Sequence, residues 1–124
     1  MAKRVLDVGN CNLDHTALRT MIEKSFAAEV VRVHGFSDTF EELRKGGYDL
    51  VVINRKLDQD YSDGLDILKE IKADPQLAEI PVMIITNYPE HQQLAVAAGA
   101  EPGFGKKSLY ADETHQNLAR FLKA

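Results

Sequence analysis

The side chains that could do chemistry in this sequence fall into a few short stretches. In "LDQDYSDG" the carboxylates of Asp58, Asp60 and Asp63 are grouped like ligands for a hard cation. An EF-hand counted from Asp58 needs glycine at its sixth place and glutamate at its twelfth. Those places hold Asp63 and Lys69, so the stretch reads as a solvated acidic loop. Cys11 has neither a flanking base nor a second cysteine and is expected to be inert. His15, His34, His91 and His115 show no ligand spacing with one another, so surface or helix-cap roles are expected.

Any further site must be assembled from single residues by the fold. Val5 to Val8 reads as a first strand, followed by "GNCNLD", a loop whose Asn12 or Asp14 can cap a helix. Leu18, Met21, Ile22 and Phe26 recur at helical spacing. Glu29 to His34 is a second, valine-rich strand. Asp38 with Glu41 has the form of a capping box, opening a helix that carries Phe40 and Leu43 and stops at Gly46 and Gly47. Tyr48 to Ile53 is a third strand, apolar without alternation, as expected where both faces of a parallel sheet are covered.

Gly64 to Ala73 follows as a helix with Leu65, Leu68 and Ile71 on one side, ended by Asp74 and Pro75. Ile80 to Thr86 is a fourth buried strand, and Glu90 to Ala98 a short helix closed by Gly99. A weak fifth strand at Gly103 to Gly105 leads to a last helix from about Asp112, with Leu118, Phe121 and Leu122 inward. The order βαβαβαβαβα implies a doubly wound α/β fold with five parallel strands and right-handed crossovers. Ligands of such sheets bind beyond the carboxyl ends of the strands. The candidate site residues are therefore Gly9 and Asn10, Asn54, Thr86 and Asn87, and Lys106 and Lys107.

Those positions, with "YDLVVIN", "IPVMIIT" and "AAGAEPGF" around them, resemble the receiver domain of bacterial two-component response regulators. The resemblance covers nearly the whole chain and implies the flavodoxin-like strand order 2-1-3-4-5. In that family two acidic residues after the first strand hold Mg²⁺, and an aspartate after the third accepts a phosphoryl group from a histidine kinase. A Ser/Thr after the fourth strand and a Lys after the fifth bind the phosphoryl oxygens. The resemblance places the acidic pair on Gly9 and Asn10, the phosphoacceptor on Asn54 and the hydroxyl on Thr86. Counting from Gly99 puts the lysine at Lys106, and aligning Phe104 with the family's aromatic switch residue puts it at Lys107. The loop from Asn54 to Gly64 is about two residues longer than is usual in the family, and the proline that normally follows the lysine is absent.

These replacements predict a degenerate site, a pseudo-receiver. Phosphoryl transfer depends on positioning and on charge neutralisation, much of it supplied by Mg²⁺. Carbonyls and amides are poor substitutes for carboxylates toward that ion, so Mg²⁺ binding is expected to be lost or weak, and no other cofactor is implied. The Asn54 amide is a poor nucleophile, and Lys106 or Lys107 is expected to hydrogen-bond Asn54 or Asn10. Asp7, inside the first strand, is expected to pair with a nearby Lys or Arg or to lie on a partly exposed strand margin; the alternative, that it replaces a missing metal ligand, is disfavoured by its position short of the strand end.

The implied role is a non-enzymatic binding module. Its partner would be a histidine kinase, an output protein or a second copy, met through the fourth helix, fifth strand and fifth helix. Gln92, Gln93, Phe104 and Tyr110 would contribute there, with Tyr88 and Tyr110 as anchors. With no output domain in the sequence, a partner or dimer would carry the signal onward. The alternatives are a phosphoacceptor at Asp58 or Asp60, and a flavodoxin-like ligand carrier, for which "GNCN" offers little phosphate cradle.

Composition agrees with one globular domain spanning residues 1–124, with 44% hydrophobic and 27% charged residues. A net charge of −4 argues against nucleic acid, and only strand-sized apolar runs argue against a membrane span. A single cysteine and the lack of an N-terminal apolar segment suggest a reducing cytoplasm.

Overall fold

The computed structural model describes residues 2–123. Five strands, β1 (Lys3–Val8), β2 (Ala28–Val33), β3 (Leu50–Asn54), β4 (Val82–Ile85) and β5 (Glu101–Phe104), alternate with five helices. These are α1 (Asn12–Ser25), α2 (Phe36–Arg44), α3 (Gly64–Ala73), α4 (Pro89–Ala97) and α5 (Asp112–Leu122), with a 3-10 turn, Lys106–Ser108, after β5. The strands form one parallel sheet in the order 2-1-3-4-5, as expected from the alternating pattern.

The unbroken apolar runs are explained by two cores. Leu6, Val8, Val51, Ile53, Val82 and Ile84 face one side, where Leu43, Ile67, Leu68, Ile71 and Ala95 pack from α2, α3 and α4. Their neighbours Val5, Leu50, Val52, Met83 and Ile85 face the other, under Leu18 and Ile22 of α1 and Leu118 and Leu122 of α5. Successive strand residues point to opposite faces, so a strand covered twice must be apolar at every position. Phe121, expected inward, is only half-buried.

Helix starts differ from expectation. α1 begins after Cys11 with no side-chain cap, because Asn12 and Asp14 lie inside the first turn and bond elsewhere. Asp38 does not precede α2 but occupies its third position, where its carboxylate accepts from the backbone N–H groups of Gly35 at 2.8 Å and His34 at 2.7 Å. An acceptor there still satisfies otherwise unpaired N–H groups of the helix start.

Candidate functional site

The carboxyl ends of β3, β4 and β5 bring Asn54, Thr86, Asn87 and Lys106 to one cleft, whose lining does not include Gly9 or Asn10. This cleft of about 340 Å³ is lined by Asn54, Arg55, Lys56, Ile85, Thr86, Asn87, Tyr88, His91 and Lys106. None of these described residues is a carboxylate. Lys106, not Lys107, reaches the cleft; the Lys107 backbone N–H is tied to Asn87 Oδ1 at 3.1 Å.

Asn54 ends β3 with its carboxamide fixed by two carbonyls. Its Nδ2 donates to Lys56 O at 2.7 Å and to Gly9 O at 3.2 Å. Both partners are acceptors, so a group with protons to give is required there. Thr86 Oγ1 lies 3.3 Å from His91 Nδ1 and accepts from the backbone N–H of Tyr88 at 3.3 Å, linking β4 to the start of α4.

Gly9 turns out of β1 with φ +77°, a region that favours glycine. A Cβ there would lie 2.4 Å from Leu57 Cδ2 and 3.2 Å from Leu57 Cα. Leu57 belongs to the β3–α3 loop, which folds back on itself. Lys56 pairs antiparallel with Asp63, Leu57 N donates to Ser62 O at 2.9 Å, and Gly64 N to Arg55 O at 2.8 Å. The long loop thus delivers an apolar side chain into the space beside Gly9.

The lysine bonds differently from expectation. Lys106 Nζ meets neither Asn54 nor Asn10 but donates to Asp14 Oδ2 at 2.6 Å. That bond, ahead of a weaker one from Cys11, holds the Asp14 carboxyl below its ordinary range despite partial burial. A carboxylate in the first turn of α1 outcompetes neutral amides for an ammonium.

Asp7 also departs from expectation, since it is 0% exposed and pairs with neither Lys nor Arg by direct bond. Its oxygens accept from Asn10 Nδ2 and lie 2.6 Å from His15 Nδ1. Burial raises the Asp7 pKa, opposed by the bonds from Asn10 and His15 and by the nearby charge of Arg32. Asn10 is therefore directed toward Asp7. Arg32 reinforces the turn by donating to Asn10 O at 2.9 Å and to Asn12 Oδ1.

Asp58 and Asp60 do not reach the cleft. Asp58 is held by Arg32 at 3.5 Å and His34 at 3.3 Å, and Asp60 accepts from the N–H and hydroxyl of Ser62 at 3.0 and 2.7 Å. Of the interface candidates, Tyr88 is 59% and Tyr110 78% exposed. Phe104 is only 5% exposed and belongs to the α1–α5 core, and Gln92 is spent on Ile84 O at 2.8 Å and Gly103 N at 3.1 Å.

Sequence reasoning missed Asp14, His15 and Leu57 as parts of the site. Leu57 carried a signal, an apolar residue between Lys56 and Asp58 in an otherwise polar loop. Asp14 reads in the sequence only as a possible helix cap and His15 only as a surface or cap residue, and neither carries a signal for its bond to Lys106 or Asp7.

Chemotaxis protein CheY-3 of Vibrio cholerae is 30% identical over 96 residues, covering 70% of this chain and 68% of that protein. The signal receiver domain of a DNA-binding response regulator from Colwellia psychrerythraea 34H superposes with a TM-score of 0.81 at 23% identity, over 95% of this chain and 96% of that one. The receiver domain of the sensor histidine kinase PA1611 from Pseudomonas aeruginosa PAO1, solved with magnesium coordinated in its active-site cleft, gives a TM-score of 0.78 at 17% identity with both chains covered completely, 100% each. The model of the response regulator receiver domain matches residues 10–118. With the sheet order, the cleft and most of the sequence in agreement, the chain belongs to the response regulator receiver domain family.

Proposed function

We propose that this receiver is a pseudo-receiver, which takes part in two-component signalling through protein contacts and is not phosphorylated at Asn54. The observation that carries the reading is the pair of bonds from the Asn54 amide to Gly9 O and Lys56 O. An aspartate in the same place would aim a carboxylate at two carbonyl oxygens, so the residue serves as a clasp between β1 and the β3–α3 loop and not as a nucleophile. Lys106 is likewise committed to Asp14.

The donor set does not suit Mg²⁺. Gly9 and Asn54 bring no carboxylate, Asn10 is turned to Asp7, and a side chain at residue 9 has no room beside Leu57. Hard divalent cations take carboxylate and other oxygen ligands, so magnesium affinity here is lost or weak.

A kinase, an output protein or a second copy would dock on the face made by α4, β5 and α5. An open groove of about 520 Å³ runs there, with Gln93, Val96, Pro102, Glu113 and Asn117 among its lining residues. The test is incubation with acetyl phosphate and Mg²⁺ followed by intact mass measurement. The unmodified mass is expected, and a stoichiometric Mg²⁺-dependent phosphoryl adduct would overturn the reading.

A further inference from the structure

Charge is unevenly placed in this chain. The net charge is −4, yet the cleft beyond β3, β4 and β5 is lined by three cationic side chains, Arg55, Lys56 and Lys106, and by no carboxylate. A cleft lined by one sign of charge focuses its field on ions of the other. Lys56 is exposed and takes part in no ion pair among the described residues. Lys106 gives one ammonium proton to Asp14, and Arg55 Nη1 lies 3.2 Å from Asp63 Oδ1. An ammonium has three donors and a guanidinium five, so each keeps donors beyond those its carboxylate takes. Neither Asp14 nor Asp63 lines the cleft.

The neutral groups add further donors. Thr86 Oγ1 accepts from the Tyr88 N–H, and the His91 tautomer with its proton on Nδ1 donates to the same oxygen over 3.3 Å. Both lone pairs of the hydroxyl are then used, and its proton is left for an acceptor. Asn87 Oδ1 is taken by the Lys107 N–H, so its amide has only donors to offer. Asn54 contributes none, since its amide protons are spent on Gly9 O and Lys56 O. Donors thus reach one cleft from the loop after β3, from the end of β4 and from the turn after β5. A tetrahedral oxyanion offers oxygens in several directions at once, and hydrogen bonds between it and charged donors are about twice as strong as neutral ones.

We infer that the cleft binds a phosphate-type oxyanion, free or at the end of a monoester, reversibly and without Mg²⁺. Arg55, Lys56 and Lys106 supply the charge, and Thr86 and Asn87 the neutral donors. No covalent bond to the ligand forms. The inference rests on the pseudo-receiver reading, in which Asn54 brings no negative charge to the cleft, and it adds Arg55 and Lys56 as ligand-binding residues.

Inorganic phosphate and phenyl phosphate are titrated separately into the ¹⁵N-labelled full chain, in EDTA and again in Mg²⁺, at about 0.15 M salt, where diffuse attraction is screened. Both are expected to give saturable shifts at the amides of Lys56, Asn87 and Lys106, with the same affinity in either buffer. Equal affinities for the two assign recognition to the oxyanion alone, and tighter phenyl phosphate to a monoester whose substituent lies against Tyr88 and His91. Lys56→Met should weaken both about tenfold, the loss of one charge-assisted bond. Lys107→Met removes the same charge outside the cleft lining and should leave both unchanged. If Lys56→Met fails to fold, Lys106→Met gives the same readout. Absence of saturable shifts, a requirement for Mg²⁺, undiminished binding in the folded Lys56→Met variant or equal weakening by Lys107→Met would each overturn the inference. A phosphoryl adduct on the intact protein would instead overturn the pseudo-receiver reading, so the two fail by different measurements.

Discussion

Asn54 and an aspartate have nearly the same shape but differ in hydrogen-bonding capacity, since only the amide can donate, and the surroundings of Asn54 use that donor. Both acceptors of its amide are backbone carbonyls, which cannot adapt to a carboxylate by changing protonation. Asn54→Asp should therefore destabilise the fold by about 1–3 kcal/mol at neutral pH, read from urea midpoints, and should not create a phosphoacceptor by intact mass. Gly9 is constrained twice, by its positive φ and by Leu57. Gly9→Ala should cost about 1–3 kcal/mol through overpacking. In a double-mutant cycle with Leu57→Ala that penalty should shrink, because the 2.4 Å clash with Leu57 Cδ2 is removed while the backbone strain and the 3.2 Å approach to the Cα of residue 57 remain. A Gly9→Ala variant as stable as the wild type would show that the leucine does not fill this space. At this scale the sequence discloses the residue types at Gly9 and Asn54 but not the partners they meet. Asn54 meets Gly9 O across 45 positions of chain, and the Leu57 side chain beside Gly9 comes from the equally distant β3–α3 loop.

At the scale of elements, Asp14 and Lys106 join the first turn of α1 to the turn after β5. Their side chains are 33% and 39% exposed, so the pair contributes less than about 1 kcal/mol after solvent screening. Because the Asp14 pKa is lowered in the folded chain, the contribution is present above its unfolded value near 3.8 and lost as pH falls through the folded one. Lys106→Met should accordingly cost up to about 1 kcal/mol at pH 7 in low salt, and nearly nothing at acidic pH or in molar salt, by urea unfolding. The elements themselves were largely legible, because unbroken apolar strand runs and apolar residues at helical spacing are both local signals. Helix starts were less so. Asn12, Asp14 and Asp38 all have capping chemistry, and which N–H each accepts from, if any, depends on where the preceding strand releases the chain.

For the whole molecule, the buried Asp7 sets an opposing pH trend. Its folded pKa is raised above the unfolded value near 3.8, chiefly by burial. Stability from this group is full below the unfolded pKa and is lost as pH rises toward the folded one, where the unfolded chain releases a proton that the folded chain retains. Asp7→Asn should therefore gain stability relative to the wild type as pH rises from about 4 toward neutrality. Calorimetric midpoints across that range measure it, and a difference independent of pH would mean that Asp7 ionises normally. Among the described residues no helix is long and apolar enough to cross a membrane. What the sequence by itself determined was the α/β architecture and the crevice at the strand ends, with the uncharged residues Gly9, Asn10 and Asn54 beside it, since these depend on local pattern and on residue identity. Only the tertiary structure decided that Lys106 turns to Asp14, that His15 rather than an arginine meets Asp7, that Phe104 is buried, and that Leu57 occupies the space beside Gly9. Each of those outcomes is a competition between partners distant in the chain, and its winner depends on distances that exist only after the sheet has formed.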